Sequence, residues 1–282
     1  MANLKLLKQL MGLNQDELHQ LLRSYLKKKY KRVEITDKYI IAEGSIPIGL
    51  VAHLDTVHRK APTLFFYDEE QSTLWSPHGL GADDRAGVYA IIQIIEKGYR
   101  PHIIFTHDEE IGGKGASELI NKHFYCPFER LKCLIELDRS GTKDCVFYDC
   151  DNKDFTKYIE SFGFTYEEGS FTDISIIAPK WKVAAVNLSV GYFYEHSLAE
   201  FLCVSYLDET IEKVVSILDN ADEMLYYEFV QREYPLLKTK DVCIFCNKKL
   251  TEDNSIMISS SWTANLYDFC YYSCKDCYKK YF

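Results

Sequence analysis

Acidic and imidazole side chains recur along this chain where short apolar stretches end. Two adjacent aspartates, Asp83 and Asp84, lie in the glycine-rich stretch 79–88, directly before an apolar pattern spaced for a buried helix. A His-x-Asp pair, a Glu–Glu pair, an aspartate and a further histidine take comparable positions elsewhere. Carboxylates and imidazoles without thiolates suit zinc, cobalt or manganese in a hydrolytic site. The candidate set is His53, Asp55, Asp83, Asp84, Glu109, Glu110, Asp138 and His196.

The size of this set indicates two metal ions, which a bridging carboxylate would hold roughly 3.5–4 Å apart. Such ions activate a water and polarise the scissile carbonyl, and a carboxylate that is not a ligand serves as general base. His53 and Asp55 lie on the same side of an extended chain, so Asp55 can orient the ring of His53. Two simpler interpretations stay open from the residues alone. Asp83 and Asp84 could cap a helix, and His53 could end a solvent-facing strand.

The elements that must position these residues are strands alternating with helices. This alternation predicts an α/β fold, a mostly parallel central sheet flanked by helices, with functional groups at the carboxyl ends of the strands. The predicted strands are 32–36, 39–42, 46–53, 102–106, 131–137 and 183–190. The predicted helices are 4–29, 88–95, 114–121, 154–162 and 207–230, with a loop or hairpin at 60–78.

In their order along the chain, these motifs resemble those of the co-catalytic di-zinc exopeptidase superfamily. That superfamily includes zinc aminopeptidases, peptidase T, glutamate carboxypeptidases and acyl-amino-acid deacylases. The order is His-x-Asp, Gly-x-Gly-Ala-Asp-Asp, Glu-Glu, Asp and His, and it covers residues 53–230. Because five ordered motifs are far more specific than any one of them, the resemblance implies a two-metal hydrolase of this fold.

The resemblance assigns the metal ligands residue by residue. Asp83 would bridge the two ions, which would be zinc or else cobalt or manganese. His53 and Asp138 would complete one metal site. Glu110 and His196 would complete the other.

The resemblance also assigns the residues around the metals. Glu109 would be the general base and Asp55 would orient His53. As is usual in the superfamily, the peptide bond between Asp83 and Asp84 is expected to be cis. The six remaining histidines are interpreted as surface or loop residues: His19, His58, His78, His102, His107 and His123.

One departure from the superfamily concerns the lid. The peptidase T and carboxypeptidase branches insert a lid or dimerisation domain of about a hundred residues between the last two ligands. Here 57 residues separate Asp138 from His196, so the chain resembles the lid-less, single-domain aminopeptidase branch. Arg139, Thr172 and Asp173 lie where substrate contacts could form, and Asp173 could pair with the free amine of a peptide.

The C-terminal segment has a different composition and carries two Cys-x-x-Cys pairs. These pairs favour a tetrathiolate structural zinc site, because so short a segment has too little core to fold alone. The break near Pro235 predicts a catalytic domain at 1–235 and a zinc-ribbon-like module at 236–282, which could dock beside the active site in place of a lid. A redox pair or unliganded thiols are the alternatives, and Cys270 is an extra candidate ligand. The predicted zinc ligands are Cys243, Cys246, Cys274 and Cys277.

Composition narrows the classes of function. The net charge of −9 argues against a general nucleic-acid binder. The absence of an 18-residue apolar stretch argues against a membrane span. Residues 1–10 have no signal-peptide pattern, so we expect a cytoplasmic protein with reduced cysteines.

Three functions are compatible with the sequence. The first is a di-zinc aminopeptidase that cleaves small peptides. The second is an N-acyl amino acid deacylase or amidohydrolase of the same superfamily, which would act on an acylated amino acid. The third, a non-catalytic binding module, is disfavoured because Glu109 and every predicted ligand are present. The oligomeric state stays open.

Overall fold

The structure, a computed structural model, describes residues 3–232, 243, 246, 248–251, 253–259 and 270–281. The chain forms two units, Met1–Arg232 and Glu233–Phe282. The helices described in the first unit are α1 Leu4–Met11, α2 Gln15–Lys29, α3 Ala82–Glu96, α4 Lys114–Lys122, α5 Lys153–Glu160, α6 Asp173–Trp181 and α7 Val204–Asp219. Its strands are β1 Arg32–Ile35, β2 Tyr39–Glu43, β3 Ile46–His53, β4 Phe66–Asp68, β5 Thr73–Trp75, β6 Pro101–Thr106, β7 Cys133–Arg139, β8 Asp144–Val146, β9 Thr165–Tyr166, β10 Ala185–Ser189, β11 Tyr192–Phe193 and β12 Phe201–Cys203.

The first unit is built on an eight-stranded sheet in the order β1-β2-β6-β3-β7-β10-β8-β9. Its four central strands, β6, β3, β7 and β10, run parallel to one another. Strands β2 and β8 pair with this group in antiparallel fashion. This arrangement confirms the predicted α/β fold with a mostly parallel central sheet.

Helices cover both faces of the sheet. Successive side chains in a strand point to opposite faces, so neighbouring strand residues belong to different core clusters. Ile40 and Leu50 belong to the larger core cluster, which includes residues of α1, α2, α3 and α7. Their neighbours Ile41 and Val51 belong to the cluster that includes residues of α4 and α6. Helix α3 is buried almost all round, which explains its apolar sequence.

Three predicted helices have clearly different bounds in the structure. The predicted helix 88–95 begins earlier, at Ala82. The predicted helix 4–29 is interrupted, because Gly12 is the C-cap of α1 and Asn14 caps α2 in a capping box that includes Glu17. The predicted helix 207–230 ends at Asp219, with Asn220 as its C-cap. The segment after it turns and then forms isolated β-bridges, so its apolar residues do not continue the helical stripe.

The predicted hairpin at 60–78 belongs to a second sheet that the sequence did not predict. Strands β4 and β5 form the hairpin, and β12 and β11 extend it in the order β11-β12-β5-β4. The connection between β11 and β12 carries His196. This small sheet therefore anchors one of the predicted ligands.

The second unit contains an antiparallel pair, β13 Ser255–Ser259 and β14 Cys270–Cys274, followed by α8 Lys275–Tyr281. The predicted domain break near Pro235 lies outside the described residues. No described helix in either unit is long and apolar enough to cross a membrane.

Candidate metal centre

All five predicted metal ligands meet at one edge of the large sheet. His53 is the last residue of β3, Asp138 lies near the end of β7, and Glu110 follows β6. Asp83 lies in the first turn of α3, and His196 lies between β11 and β12. Because parallel strands end at the same edge, residues that are far apart in sequence converge there.

Asp83 lies between the two histidines. Its Oδ1 is 3.0 Å from Nε2 of His53, and its Oδ2 is 3.2 Å from Nε2 of His196. Nε2 of His53 is also 3.5 Å from Oδ1 of Asp138. Nε2 of His196 is 3.0 Å from Oε2 of Glu110. Each half of the site therefore combines one imidazole, one carboxylate and one oxygen of the shared Asp83.

The electrostatics of the site fit divalent cations. Burial, with the nearby charge of Asp83, raises the pKa of Glu110 to about 7 and that of Asp138 to about 6. The contact with Asp83 raises the pKa of His196 to about 9. Oε1 of Glu110 is buried and has no hydrogen-bond partner among the residues that the structure describes. Ligand atoms of His53, Asp83 and Glu110 lie within 4.8 Å of one another, so the donor set suits bound cations.

Asp55 connects two of the loops that carry the ligands. Its Oδ1 lies 3.2 Å from Nδ1 of His53. The same carboxylate accepts the backbone N–H groups of Glu109 at 3.0 Å and Glu110 at 3.1 Å. Glu109 is partly buried, and burial raises its pKa to about 9. Asp55 therefore fixes both the ring of His53 and the turn that presents the Glu–Glu pair.

Asp84 has a different role from its neighbour Asp83. The peptide bond between them is cis, which confirms the expectation. Asp84 is fully buried, and its carboxylate accepts the backbone N–H groups of His53 at 3.2 Å and Gly87 at 3.0 Å. The second aspartate thus ties the start of α3 to the end of β3.

Arg85 is a buried cation whose role could not be predicted from the motifs. Its Nη1 donates to the carbonyls of Leu54 at 2.6 Å and Asp55 at 3.0 Å, directly after the His-x-Asp motif. Its Nη2 donates to the carbonyl of Leu13, between α1 and α2, at 3.1 Å. The available signal was a cation beside two aspartates, whose nearby negative charges favour the charged form of a buried guanidinium.

Helix α2 contacts the loop that carries the Glu–Glu pair. Gln15 exchanges two hydrogen bonds with Asp108, one to its side chain at 3.2 Å and one from its backbone N–H at 3.1 Å. Nδ1 of His19 lies 2.7 Å from Nε2 of His107. Lys38 pairs with the carboxylate of Asp108 at 2.6 Å. Helix α2 and Lys38 therefore hold the loop that carries Glu109 and Glu110 in place.

Asp138 is held by three residues from distant strands and loops. Asn187 accepts its backbone N–H at 2.9 Å and donates to its carbonyl at 2.8 Å. The hydroxyls of Thr172 and Tyr192 each donate to its carboxylate at 3.2 Å. The sequence signal for Asn187 was a polar amide inside an apolar strand, where a buried amide must be hydrogen-bonded.

The three predicted substrate contacts lie in different environments. Arg139 is partly exposed, and its Nη2 donates to the carbonyl of Glu168 at 3.4 Å. Thr172 is buried against Asp138. Asp173 is fully buried and accepts a hydrogen bond from Thr106. Among these three, Arg139 is the residue with solvent access.

The interpretation of the other histidines as surface or loop residues is wrong for two of them. His19 on α2 and His102 on β6 are buried, whereas His107 is buried within the loop that follows β6. His102 stacks on Phe128 with ring centroids 4.4 Å apart and accepts the N–H of Gly44 at 3.2 Å. The sequence marks the positions of His19 and His102 only by neighbouring apolar residues, which a surface histidine can share.

In the second unit, the four predicted cysteines form one group. Their sulfur atoms lie within 4.8 Å of one another, and Sγ of Cys246 is 3.8 Å from Sγ of Cys274. Cys243 and Cys274 are buried, and Leu250 packs with them. Four thiols at these distances suit a tetrahedral zinc ion.

Similarity to solved structures establishes the fold of the chain. A tripeptidase from Staphylococcus aureus matches with a TM-score of 0.66 at 14% identity, covering 78% of this chain and 98% of that one. The aminopeptidase PepT from Bacillus cereus matches with a TM-score of 0.61 at 16% identity, with the same coverage. An aminopeptidase from Desulfurococcus kamchatkensis matches with a TM-score of 0.55 at 16% identity, covering 83% and 98%. The chain therefore has the fold of these peptidases.

Among curated proteins, a probable carboxypeptidase S-like 2 from Dictyostelium discoideum is 33% identical over 119 residues. The match covers 34% of this chain and 22% of the relative, so the chain spans about a fifth of that protein. No family model matches the chain.

Proposed function

We propose that this chain is a metal-dependent hydrolase that cleaves amide bonds, acting as a di-zinc aminopeptidase on small peptides. One observation carries the proposal. Asp83 directs its two oxygens at two different histidines, and each histidine contacts a further carboxylate. The shared fold with a tripeptidase and two aminopeptidases supports the same reaction class.

The proposed ligands divide into two sets that share Asp83. His53 and Asp138 would hold one ion, and Glu110 and His196 would hold the other. When bound, the ions would polarise the scissile carbonyl of the substrate and lower the pKa of a bound water. Zinc suits these donors, and cobalt or manganese would accept the same set.

Glu109 would move the proton in this reaction. It is not part of either ligand set, and its backbone N–H is fixed by Asp55. Its carboxylate would accept a proton from the attacking water and deliver it to the nitrogen of the leaving amine. Arg139 has the exposure needed to contact a substrate, whereas the burial of Thr172 and Asp173 favours a supporting role.

A substrate panel tests the proposal. The zinc-loaded protein would be assayed with di- and tripeptides that have free amines, with N-acetylated amino acids and with N-blocked dipeptides. We expect hydrolysis of the free-amine peptides and loss of that activity in His196→Ala. Preference for acetylated amino acids would assign a deacylase instead, and preference for blocked dipeptides a carboxypeptidase. A protein that holds two ions at His53 and His196 but hydrolyses no member of the panel would contradict the proposal.

We also propose that the cysteine group of the second unit binds one structural zinc. Its support is the clustering of Cys243, Cys246, Cys274 and Cys277. Because so small a unit buries little apolar surface, a metal would supply much of its folding free energy.

A further inference from the structure

Helix α3, which carries Asp83, begins without a side-chain cap of its own. Its N-cap residue is Gly81, which has a positive φ of 68° and no side chain to accept a hydrogen bond. The first N–H groups of a helix need acceptors. Here the acceptor is Glu200, 119 positions further along the chain.

Both oxygens of Glu200 are used for this purpose. Oε2 accepts the N–H of Gly81 at 2.7 Å, and Oε1 accepts the N–H of Asp83 at 3.0 Å. Hydrogen bonds from backbone N–H groups to a carboxylate are among the strong ones. The two contacts therefore fix the backbone on either side of Ala82 and set the point from which Asp83 extends its side chain.

A third contact holds the carboxylate in place. Nε2 of His58 lies 3.1 Å from Oε2 of Glu200. The ring of His58 lies against Gly79, where an added Cβ would be 2.3 Å from the ring. Glu200 itself is 1% exposed, and an unpaired carboxylate so deeply buried would be costly. Glu200 is thus held by a hydrogen bond from His58, whose ring packs against Gly79.

The position of Glu200 in the chain joins two ligand-bearing segments. Glu200 follows His196 by four residues, in the same connection that leads into β12. Through Glu200, the segment that carries one imidazole is hydrogen-bonded to the backbone of the shared carboxylate Asp83. A shift of either segment would be transmitted to the other.

From this network we infer that Glu200, oriented by His58, is a positioning residue that sets the bridging geometry of Asp83. The role rests on the proposed two-ion centre and adds to it two residues outside the ligand set. Glutamine at position 200 would keep one acceptor but place an NH₂ group against a backbone N–H. One of the amides at Gly81 and Asp83 would then lose its partner.

The test measures cation affinity rather than turnover. Zinc and cobalt dissociation constants would be measured by chelator competition for the full chain, at a temperature where circular dichroism shows each variant folded. Substitution of residues behind metal ligands typically costs about 10–100-fold in affinity, and we expect a loss in that range for Glu200→Gln. The cobalt absorption spectrum should change as well, because the ligand geometry shifts.

A matched control separates positioning from a general loss of a carboxylate. Glu34 also accepts hydrogen bonds from a tyrosine and a histidine, but it lies on β1. Glu34→Gln should leave both dissociation constants and the cobalt spectrum unchanged. A Glu200→Gln protein with wild-type affinity and spectrum would overturn the positioning role, even if it melted at a lower temperature.

A second variant covers the case in which Glu200→Gln does not fold. His58→Gln leaves the carboxylate in place and removes its ring partner, and we expect it to weaken cation binding by up to about tenfold. Unchanged affinity and an unchanged cobalt spectrum in His58→Gln would then overturn the role. If the wild-type chain binds no cation beyond the one at its cysteines, the proposed function fails together with this inference. If the wild-type chain binds two ions in its first unit and both Glu200→Gln and His58→Gln keep the wild-type affinity, this inference fails and the proposed function stands.

Discussion

Replacement of Glu109 by glutamine separates proton transfer from metal binding. The substitution keeps the length of the side chain and removes its ability to accept a proton. The backbone N–H of residue 109 would still donate to Asp55, so the turn that presents Glu110 should be preserved. The five proposed ligands are untouched.

The expected size of the effect follows from the role assigned to Glu109. A positioned general base contributes about 10²–10⁴-fold to the rate. Since each factor of ten corresponds to 1.36 kcal/mol, the barrier should rise by about 3–5 kcal/mol. We therefore expect kcat for a free-amine peptide to fall at least about 100-fold while KM changes little.

The assay combines kinetics with metal analysis of the same protein samples. Peptide hydrolysis would be followed by the release of new amines, and bound metal by elemental analysis after removal of free ions. Glu118→Gln is the matched control, because Glu118 is an exposed carboxylate nearby on α4. A Glu109→Gln protein with two ions in the first unit and kcat within threefold of wild type would refute the general-base role. Loss of metal together with activity would show that Glu109 is a ligand.

Three further predictions test other parts of the structure. His196→Ala should lose one of two ions from the first unit by elemental analysis, because the ion proposed at Glu110 would lose its imidazole ligand; retention of both would exclude His196 as a ligand. Burial lowers the pKa of His102 from its usual value of 6.5 to about 4. As the pH falls, His102 is therefore protonated in the unfolded chain before it is protonated in the folded chain, and the folded state loses stability. In urea titrations followed by circular dichroism, wild type should lose about 2 kcal/mol more stability than His102→Asn between about pH 7.5 and 5, and equal losses would contradict this. Cys274→Ser should release the zinc of the second unit without changing metal in the first, as measured by a colorimetric zinc assay; unchanged total zinc would exclude the tetrathiolate site.

The convergence of the five proposed ligands could be predicted from the sequence because their positions follow from local rules. Each lies where an apolar strand or a glycine-rich turn ends, and the order of the motifs is itself specific. The residues behind the ligands could not be predicted in this way. Asn187, Tyr192 and Glu200 contact Asp138 or Asp83 across long sequence separations, so their roles depend on the register of strands and on loop paths.

Helix boundaries show a similar division between local and tertiary causes. Gly12 and Asn14 are ordinary cap residues, and the interruption between α1 and α2 was readable from them. The end of α7 was harder to predict, because apolar residues continue past Asn220. There the chain leaves the helix to form β-bridges, including one between Val183 and Glu228, and only the folded structure provides those partners.

The contacts of α2 with the Glu–Glu loop have a thermodynamic consequence. Gln15 and His19 contact Asp108 and His107, directly before Glu109, the proposed general base. Cation binding at Glu110 would therefore also stabilise α2 against local opening. Helix α2 and the loop that carries Glu109 and Glu110 would then unfold as one cooperative segment, although α2 supplies none of the five proposed ligands.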